Sequence, residues 1–277
     1  MSVSYSRSGD LDIEPLHPTI GAVIRGVDTT LPLDKSAIDF VRKALLKYKV
    51  IFFRNQHPTV EQQTRFGQYF GRLLEHPINI GGRYPDTDWL EQQGLRTRAE
   101  NWHSDLAFLP EPATATILTL TNIPKIGGDT LFADLEAAYQ GLSQPVRQLV
   151  DGLTVLHDAE NFSDWAWGPN VDATRRANIL NFSARKVAHP LVKTHPETNR
   201  KTLFAARGFA RKIKNLNDEE SEGILSLLAA HVIKPEYVVR YAWGAGDIAF
   251  WDNRAVLHKV SNDYGDAPRT LQRITII

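Results

Sequence analysis

Along the first 75 residues, segments with the hydrophobic spacing of strands alternate with segments that have the spacing of helices. Short runs rich in Ile and Val are typical of strands, whereas apolar residues three and four positions apart indicate one face of a helix. This part of the chain is therefore predicted to mix α and β structure. The predicted elements are strands over 11–16 and 21–27, a helix capped by Asp34 with Ile38, Val41 and Leu45 on one face, a buried strand over 50–53, and a helix from the Thr59-x-x-Gln62 capping box to Phe70.

Strand patterns dominate the chain after Trp102. Predicted strands occupy 102–108, 113–121, 130–132, 237–243, 248–251 and 269–277, and predicted helices occupy 134–152 and the segment from the Asn217-x-x-Glu220 capping box to about Val232. Residues 78–101 and 160–188 show little periodicity, and long irregular segments are usually functional, so both are candidate lid loops. Many short strands with a few helices predict a mainly β fold with flanking helices (α+β), a barrel or jelly roll rather than alternating βα units.

Composition excludes several classes of function. The 277 residues are 42% hydrophobic, which allows one large core, and we expect a single domain over 1–277. The 32 basic and 32 acidic side chains cancel, so no net charge favours binding to nucleic acid or to an anionic membrane. Because no apolar run reaches the length of a membrane-spanning helix or of a signal-peptide core, the protein is predicted to be soluble and cytoplasmic.

The absence of cysteine restricts the metal chemistry open to this chain. Disulfides, thiolate sites and iron–sulfur clusters are excluded, and any metal must bind through His, Asp, Glu or the backbone. In His103-Ser-Asp105, an extended strand would turn both side chains to one face, which makes them a pair of candidate ligands. His258, one of nine histidines, follows Trp251-Asp-Asn-Arg254 and is the best candidate for the third ligand.

The candidate ligands His103, Asp105 and His258 are compatible with more than one metal. Two imidazoles and one carboxylate on one face of a metal leave other positions open, which favours a non-haem Fe(II) oxygenase. Three protein ligands and a water also describe a catalytic zinc site. Two alternatives therefore stay open at this point: a zinc-dependent hydrolase, and a protein that binds a metal or small molecule without turnover.

An ordered set of motifs spans nearly the whole chain: Asn101-Trp-His-Ser-Asp105, Gly127-Gly-Asp-Thr-Leu131, Thr194-His-Pro-Glu-Thr198, Trp251-Asp-Asn-Arg254, His258 and Arg269-x-x-x-Arg273. This set closely resembles the taurine dioxygenase (TauD/TfdA) family, which includes alkylsulfatase and phenoxyacetate dioxygenases. The resemblance implies a double-stranded β-helix, the jelly-roll core of cupin-like proteins, with His103, Asp105 and His258 as iron ligands. It also implies Fe(II) as cofactor, with 2-oxoglutarate and O2 as co-substrates.

The same resemblance assigns two residues to 2-oxoglutarate. Thr130 and Arg269 match the positions that hold its distal carboxylate. A guanidinium suits this role because its planar fork donates two parallel hydrogen bonds and never loses its charge. The hydroxyl of Thr130 would supply a further donor.

Further residues are assigned by the resemblance to the prime substrate. Arg273 matches the residue that contacts its anionic group, and His76 matches a histidine that contacts the sulfonate in the taurine enzymes. The segments that line the substrate site in relatives contain the aromatic residues Phe162, Trp165 and Phe209. These matches imply that the substrate is a small anion.

Two positions depart from the taurine enzymes. Asn79 stands where those enzymes have an aromatic residue, and Ala99 stands where they have a polar one, so the cavity is not expected to suit the amino end of taurine. The expected function is oxidation of a C–H bond in a small organic anion, a sulfonate, sulfate ester or carboxylate, with release of succinate and CO2. Because relatives are commonly dimers or tetramers, a homo-oligomer is also expected.

Overall fold

Fifteen strands and six α-helices form the structure, a computed structural model that describes residues 11–74, 88–92, 101–160, 163, 167, 173–205 and 207–277. The strands are β1 Asp12–Pro15, β2 Ala22–Arg25, β3 Val50–Phe53, β4 Asp88–Gln92, β5 Ala115–Asn122, β6 Thr130–Asp134, β7 Thr154–Asp158, β8 Lys186–Pro190, β9 Val192–Thr194, β10 Lys201–Leu203, β11 Ala210–Ile213, β12 Val238–Tyr241, β13 Ile248–Asp252, β14 Val256–Val260 and β15 Arg269–Ile276. The helices are α1 Lys35–Tyr48, α2 Val60–Gln68, α3 Leu135–Gln140, α4 Gln144–Val150, α5 Ala173–Ser183 and α6 Asp218–Val232.

Two sheets carry the candidate site between them. A seven-stranded sheet has the order β1-β2-β3-β13-β5-β15-β4, and a three-stranded sheet has the order β12-β6-β14. Within these two sheets only the β2–β3 pair is parallel. Two further sheets, the three-stranded β11-β7-β8 and the two-stranded β10-β9, lie elsewhere in the described chain. The predicted mainly β fold with flanking helices is thus confirmed, and it agrees with a jelly-roll core.

The side chains of β13 show how the layers are built. Ile248 and Phe250 belong to the buried cluster under α1 and α2. Trp251, on the opposite face of the same strand, belongs to a second buried cluster that also contains Phe132 of β6 and Val256 of β14. Because successive side chains of a strand point to opposite faces, one strand serves both the helix layer and the interior between the sheets. Residues on this interior face therefore lie between the two sheets.

Three helices begin where the sequence predicts. The Asp34 side chain accepts a hydrogen bond from the backbone N–H of Ala37 at the start of α1. Reciprocal capping boxes open α2 at Thr59 and α6 at Asn217. Each cap satisfies backbone donors that a helix leaves without an internal partner. Among the helices in the described ranges, none is both long and apolar enough to cross a membrane.

Two predicted elements are wrong in type or extent. The segment 102–108 is not a strand: His103 makes one isolated bridge, and the chain then turns through Leu106, whose φ is 54°. Its apolar residues are buried by packing against other side chains rather than by sheet pairing. The helical prediction over 134–152 is correct in type, but the segment forms two short helices, α3 and α4.

The two segments predicted to be long loops contain regular structure. Within 78–101, β4 pairs with β15 at the sheet edge, and within 160–188 lie α5 and the start of β8 at Lys186. Edge pairing depends mainly on backbone hydrogen bonds, and the five residues of β4, Asp-Trp-Leu-Glu-Gln, do not alternate between apolar and polar. In α5 the hydrophobic pattern is weak: among the side chains of this helix that the structure describes, Ile179 and Ser183 are buried and most of the others are exposed. The predicted role of both segments as lids stays a prediction.

Candidate metal and co-substrate site

Two histidines distant in sequence are joined by their backbones at the centre of the site. The N–H of His103 donates to the carbonyl of His258 at 3.0 Å, and the N–H of His258 donates back at 2.8 Å. His258 lies on β14 two residues after Val256, which is part of the interior cluster, so strand alternation turns its ring inward. The two imidazole rings stand 4.2 Å apart between centroids.

Asp105 completes a group of three potential metal ligands. Its Oδ1 atom lies 3.7 Å from Nε2 of His103 and 3.8 Å from Nε2 of His258. One ligand atom from each residue lies within 4.8 Å of the others. Asp105 and His258 are buried, whereas His103 is partly exposed. The three sequence-predicted ligands are therefore brought together around one point.

The protonation of these groups suits a divalent cation. Burial lowers the pKa of His258 to about 3, so its imidazole is neutral near pH 7. Burial opposes ionisation of Asp105, but His258, Arg273, His103 and the Thr116 hydroxyl together lower its pKa to about 2. The Nδ1 atom of His103 lies 2.7 Å from the Asn101 carbonyl, which leaves Nε2 toward the other ligands. Neutral imidazoles and an ionised carboxylate are the forms that bind metals.

The expected reason for pairing His103 with Asp105 is wrong, although the pairing itself is found. An extended strand does not hold the two side chains, because the chain turns at Leu106. Asp105 is instead fixed by Asn253, whose Oδ1 accepts its backbone N–H at 3.2 Å, and by the Thr116 hydroxyl, which donates to its Oδ2 at 2.7 Å. Tertiary hydrogen bonds thus replace the predicted local geometry.

Thr130 and Arg269, the two residues predicted to bind 2-oxoglutarate, are both buried. Thr130 is buried on the same face of β6 as Phe132, and Trp243 donates to its hydroxyl oxygen at 2.9 Å. Arg269 is fully buried, and burial lowers the pKa of its guanidinium to about 10, so it stays cationic near neutral pH. Its Cδ lies near Gly128, two residues before Thr130: a Cβ built on Gly128 would be in ordinary van der Waals contact with it at 3.6 Å. A fixed, buried cation next to a hydroxyl-bearing strand suits a carboxylate.

Arg273 and Phe209 lie beside the three ligands. Arg273 is partly exposed, and its Nη1 is 3.5 Å from Oδ1 of Asp105. The ring of Phe209 makes an edge contact with His103, with centroids 6.1 Å apart, and another with Phe108 at 4.7 Å. The other predicted substrate residues lie outside the described ranges: His76 and Phe162, together with Asn79, Ala99 and Trp165.

The sequence matches the model of the taurine catabolism dioxygenase TauD, TfdA family over residues 12–275. The chain belongs to this family. It is 35% identical over 275 residues to an alpha-ketoglutarate-dependent sulfate ester dioxygenase of Pseudomonas putida, covering 96% of this chain and 89% of the relative. The predicted family is therefore confirmed.

Solved structures support the same relationship. The crystal structure of a taurine dioxygenase from Burkholderia xenovorans superposes with a TM-score of 0.81 at 35% identity, covering 96% of this chain and 90% of the other. The crystal structure of AAD-2 in complex with Mn(II) and N-oxalylglycine superposes with a TM-score of 0.79 at 28% identity, covering 97% of both chains. The fold of this TauD-type chain is thus shared over nearly its full length.

This TauD-family chain is a 2-oxoglutarate-dependent non-haem iron dioxygenase, with Fe(II) as cofactor and 2-oxoglutarate and O2 as co-substrates. Its own residues fit that cofactor: two imidazole nitrogens and one carboxylate oxygen converge within 4.8 Å, which is the donor set favoured by non-haem Fe(II) with positions left open. The zinc hydrolase and the non-catalytic binding protein do not agree with this family.

Sequence analysis missed several residues that build the site. Thr116, Asn253, Trp243 and Gly208 each contact a predicted site residue. Asn253 belongs to the Trp251-Asp-Asn-Arg254 motif, so the sequence indicated that this residue matters but not what it does. Thr116 lies on the interior face of β5. Its role in the site could not be predicted, because that role depends on contacts with residues far along the chain.

Proposed function

We propose that this dioxygenase oxidises a C–H bond of a small organic anion, with each predicted site residue in a defined role. His103, Asp105 and His258 hold Fe(II), Thr130 and Arg269 bind the distal carboxylate of 2-oxoglutarate, and Arg273 binds the anionic group of the substrate. The observation that carries the substrate assignment is the place of Arg273, whose Nη1 lies 3.5 Å from Asp105 Oδ1 while its side chain stays partly exposed. A cation there reaches both the metal ligands and an incoming anion.

We assign the two arginines to different anions, Arg269 to the co-substrate and Arg273 to the substrate. Arg269 is fully buried, so it suits a co-substrate that is inserted deeply and always present. Arg273, four residues later on β15, lies roughly 13 Å away along the strand and is partly exposed, which suits a substrate that exchanges. Relatives named for sulfate esters and taurine support an anionic substrate of the sulfate ester, sulfonate or carboxylate type.

The chemistry follows from positioning. Ferrous iron, when bound with 2-oxoglutarate, supplies the activation of O2 that yields succinate, CO2 and the oxidised substrate. Arg269 and Thr130 orient the keto acid from its far end, and Arg273 fixes the anion so that a neighbouring C–H bond faces the metal. Phe209 forms an apolar wall beside His103. His76 and Phe162 are assigned to the substrate on the family resemblance, and a homo-oligomer, a dimer or tetramer, is expected from relatives.

The test uses an alkyl sulfate, an alkyl sulfonate and a phenoxyacetate as substrates. At least one is expected to stimulate succinate release by the Fe(II)-loaded protein. Arg273→Ala should lose this stimulation yet keep the visible absorption band that forms when Fe(II) and 2-oxoglutarate bind without O2. The exposed Arg25→Ala serves as the matched control and should keep both properties. If Arg273→Ala also loses the absorption band, or if no anion stimulates succinate release, the substrate assignment fails.

A further inference from the structure

A series of buried hydrogen bonds ends at the carboxylate of Asp105. It contains the side chains of Trp251, Asn253 and Thr116, all exposed by 1% or less. Trp251 Nε1 lies 2.9 Å from Asn253 Oδ1, Asn253 Nδ2 lies 2.8 Å from Thr116 Oγ1, and Thr116 Oγ1 lies 2.7 Å from Asp105 Oδ2.

The direction of every hydrogen bond in this group is fixed by chemistry. The indole of Trp251 and the backbone N–H of Asp105 can only donate, and both point at Oδ1 of Asn253. The amide of Asn253 therefore cannot be turned around, and its Nδ2 must donate to Thr116. Because the oxygen of Thr116 accepts this bond, its hydroxyl proton is directed to Oδ2 of Asp105.

The two oxygens of Asp105 consequently have different surroundings. Oδ2 accepts from Thr116, whereas Oδ1 faces Nη1 of Arg273 at 3.5 Å and Nε2 of His103 and of His258 at 3.7 and 3.8 Å. We infer that Thr116, oriented by Asn253, is a positioning residue that restricts Asp105 to binding the metal through one oxygen. A carboxylate that bound through both oxygens would occupy a coordination position that the keto acid or O2 needs. This inference rests on the proposed role of Asp105 as a metal ligand.

The location of Asn253 connects the orientation of the Asp105 carboxylate to His258, the third proposed ligand. Asn253 lies between β13 and β14, the strand that carries His258. Its backbone is held as firmly as its side chain: its N–H donates to the Thr114 carbonyl at 2.9 Å, and its carbonyl accepts from Ser104 Oγ at 2.6 Å. The connection that leads into His258 thus also orients the carboxylate of Asp105.

The experiment removes the Thr116 hydroxyl and measures metal binding. Thr116→Val keeps the shape of the side chain and its preference for a strand. Thr119→Val is the matched control, because Thr119 is equally buried in β5 and donates to Gln63 at 2.8 Å, away from the metal ligands. Thr116→Ser keeps the hydroxyl and tests rescue. Mn(II) affinity is measured by calorimetry, and the Co(II) absorption spectrum reports the coordination geometry.

Thr116→Val removes the hydrogen bond that fixes the orientation of the Asp105 carboxylate. Because a wrongly oriented ligand binds less well, the variant is expected to bind Mn(II) about 10- to 100-fold more weakly, and its Co(II) spectrum should change because Oδ2 can then also reach the metal. Thr119→Val and Thr116→Ser are expected to match the unmodified protein in both measurements. Equal behaviour of Thr116→Val and Thr119→Val would overturn the inference. Should Thr116→Val not fold, Thr116→Ala is judged by the same two measurements.

A separate variant distinguishes failure of this inference from failure of the proposed function. Asp105→Ala should lose Mn(II) binding if Asp105 is a ligand. If Asp105→Ala binds Mn(II) normally, the proposed metal site is wrong, and the role of Thr116 falls with it. If Asp105→Ala loses the metal while Thr116→Val binds it normally, the metal site stands and only the role of Thr116 is rejected.

Discussion

The indole Nε1 of Trp243 donates a hydrogen bond of 2.9 Å to Oγ1 of Thr130. An indole N–H is a donor only, so it occupies an acceptor site of the Thr130 hydroxyl and leaves the hydroxyl proton to be donated elsewhere. Thr130 is buried on the interior face of β6, where we propose that the distal carboxylate of 2-oxoglutarate binds. We therefore expect Trp243 to orient the hydroxyl of Thr130 toward that carboxylate.

Trp243→Phe is expected to weaken the binding of 2-oxoglutarate by about 1 kcal/mol, or roughly fivefold, because it removes one neutral hydrogen bond and keeps an aromatic ring. Calorimetry on the Mn(II)-loaded protein measures this without turnover. In a Thr130→Val background the same substitution should have no further effect on affinity. Equal losses in the two backgrounds would show that Trp243 does not act through Thr130.

Arg269→Lys tests whether the guanidinium fork, rather than charge alone, holds the distal carboxylate. Lysine keeps the charge but cannot donate two parallel hydrogen bonds. The affinity for 2-oxoglutarate should fall by about 1.5–3 kcal/mol, or roughly 10- to 160-fold. A 2-oxo acid of equal length without the distal carboxylate provides the control, because its binding should change little. A similar loss for both acids would contradict the assignment of Arg269.

Much of the scaffold could be predicted because its signals are local. The caps of α1, α2 and α6 lie within four residues of the helices they start. The metal ligands could be predicted because the ordered set of motifs that contains them resembles one family, whereas His103-x-Asp105 alone is a weak signal. The orientation of Asp105 could not be predicted in this way. It depends on Asn253 and Thr116, which are 137 positions apart in sequence, and nothing in the local pattern of either residue specifies the other.

The same contrast explains the errors. The apolar segment 102–108 has the composition of a strand, yet the positive φ of Leu106 places a turn there, and its side chains pack against Phe209 and neighbouring residues. Conversely, β4 has no alternating hydrophobic pattern, and it pairs with β15 through its backbone. Burial and strand pairing depend on the tertiary structure. The hydrophobic pattern of one segment predicts them only when apolar and polar residues alternate regularly along it.

Gly208→Ala is expected to weaken metal binding while leaving the protein folded. A Cβ at Gly208 would lie 3.1 Å from Cβ of His103 and 3.1 Å from the Trp102 carbonyl oxygen, so one of them must shift by a few tenths of an ångström. A displaced ligand lowers Mn(II) affinity, which calorimetry measures. Gly223→Ala is the control, because a Cβ there has no neighbour within 4 Å among the described residues and its helix should gain about 0.5–1 kcal/mol. Unchanged Mn(II) affinity in Gly208→Ala would show that His103 does not need this close contact.

His157 is expected to make the metal-free protein sensitive to mild acid. Its ring is fully buried next to Phe204 and His189, with centroids 5.2 and 5.4 Å away. Burial, with the nearby charges of His189 and Lys193, lowers the pKa of His157 from 6.5 to about 3. The unfolded chain therefore binds more protons than the folded one between these values, so the stability that a neutral His157 contributes is complete above pH 6.5 and is lost as the pH falls toward 3.

His157→Phe should remove this loss, because phenylalanine fills a similar volume and does not titrate. Between pH 7 and pH 5 the free energy of unfolding of the variant should fall by about 2 kcal/mol less than that of the unmodified protein. Urea denaturation at both pH values, without metal, provides the measurement. Phe204→Leu changes the same packing without removing a titratable group, so it should keep the full pH dependence. If His157→Phe loses as much stability as Phe204→Leu over this range, the proton that destabilises the fold binds at another residue.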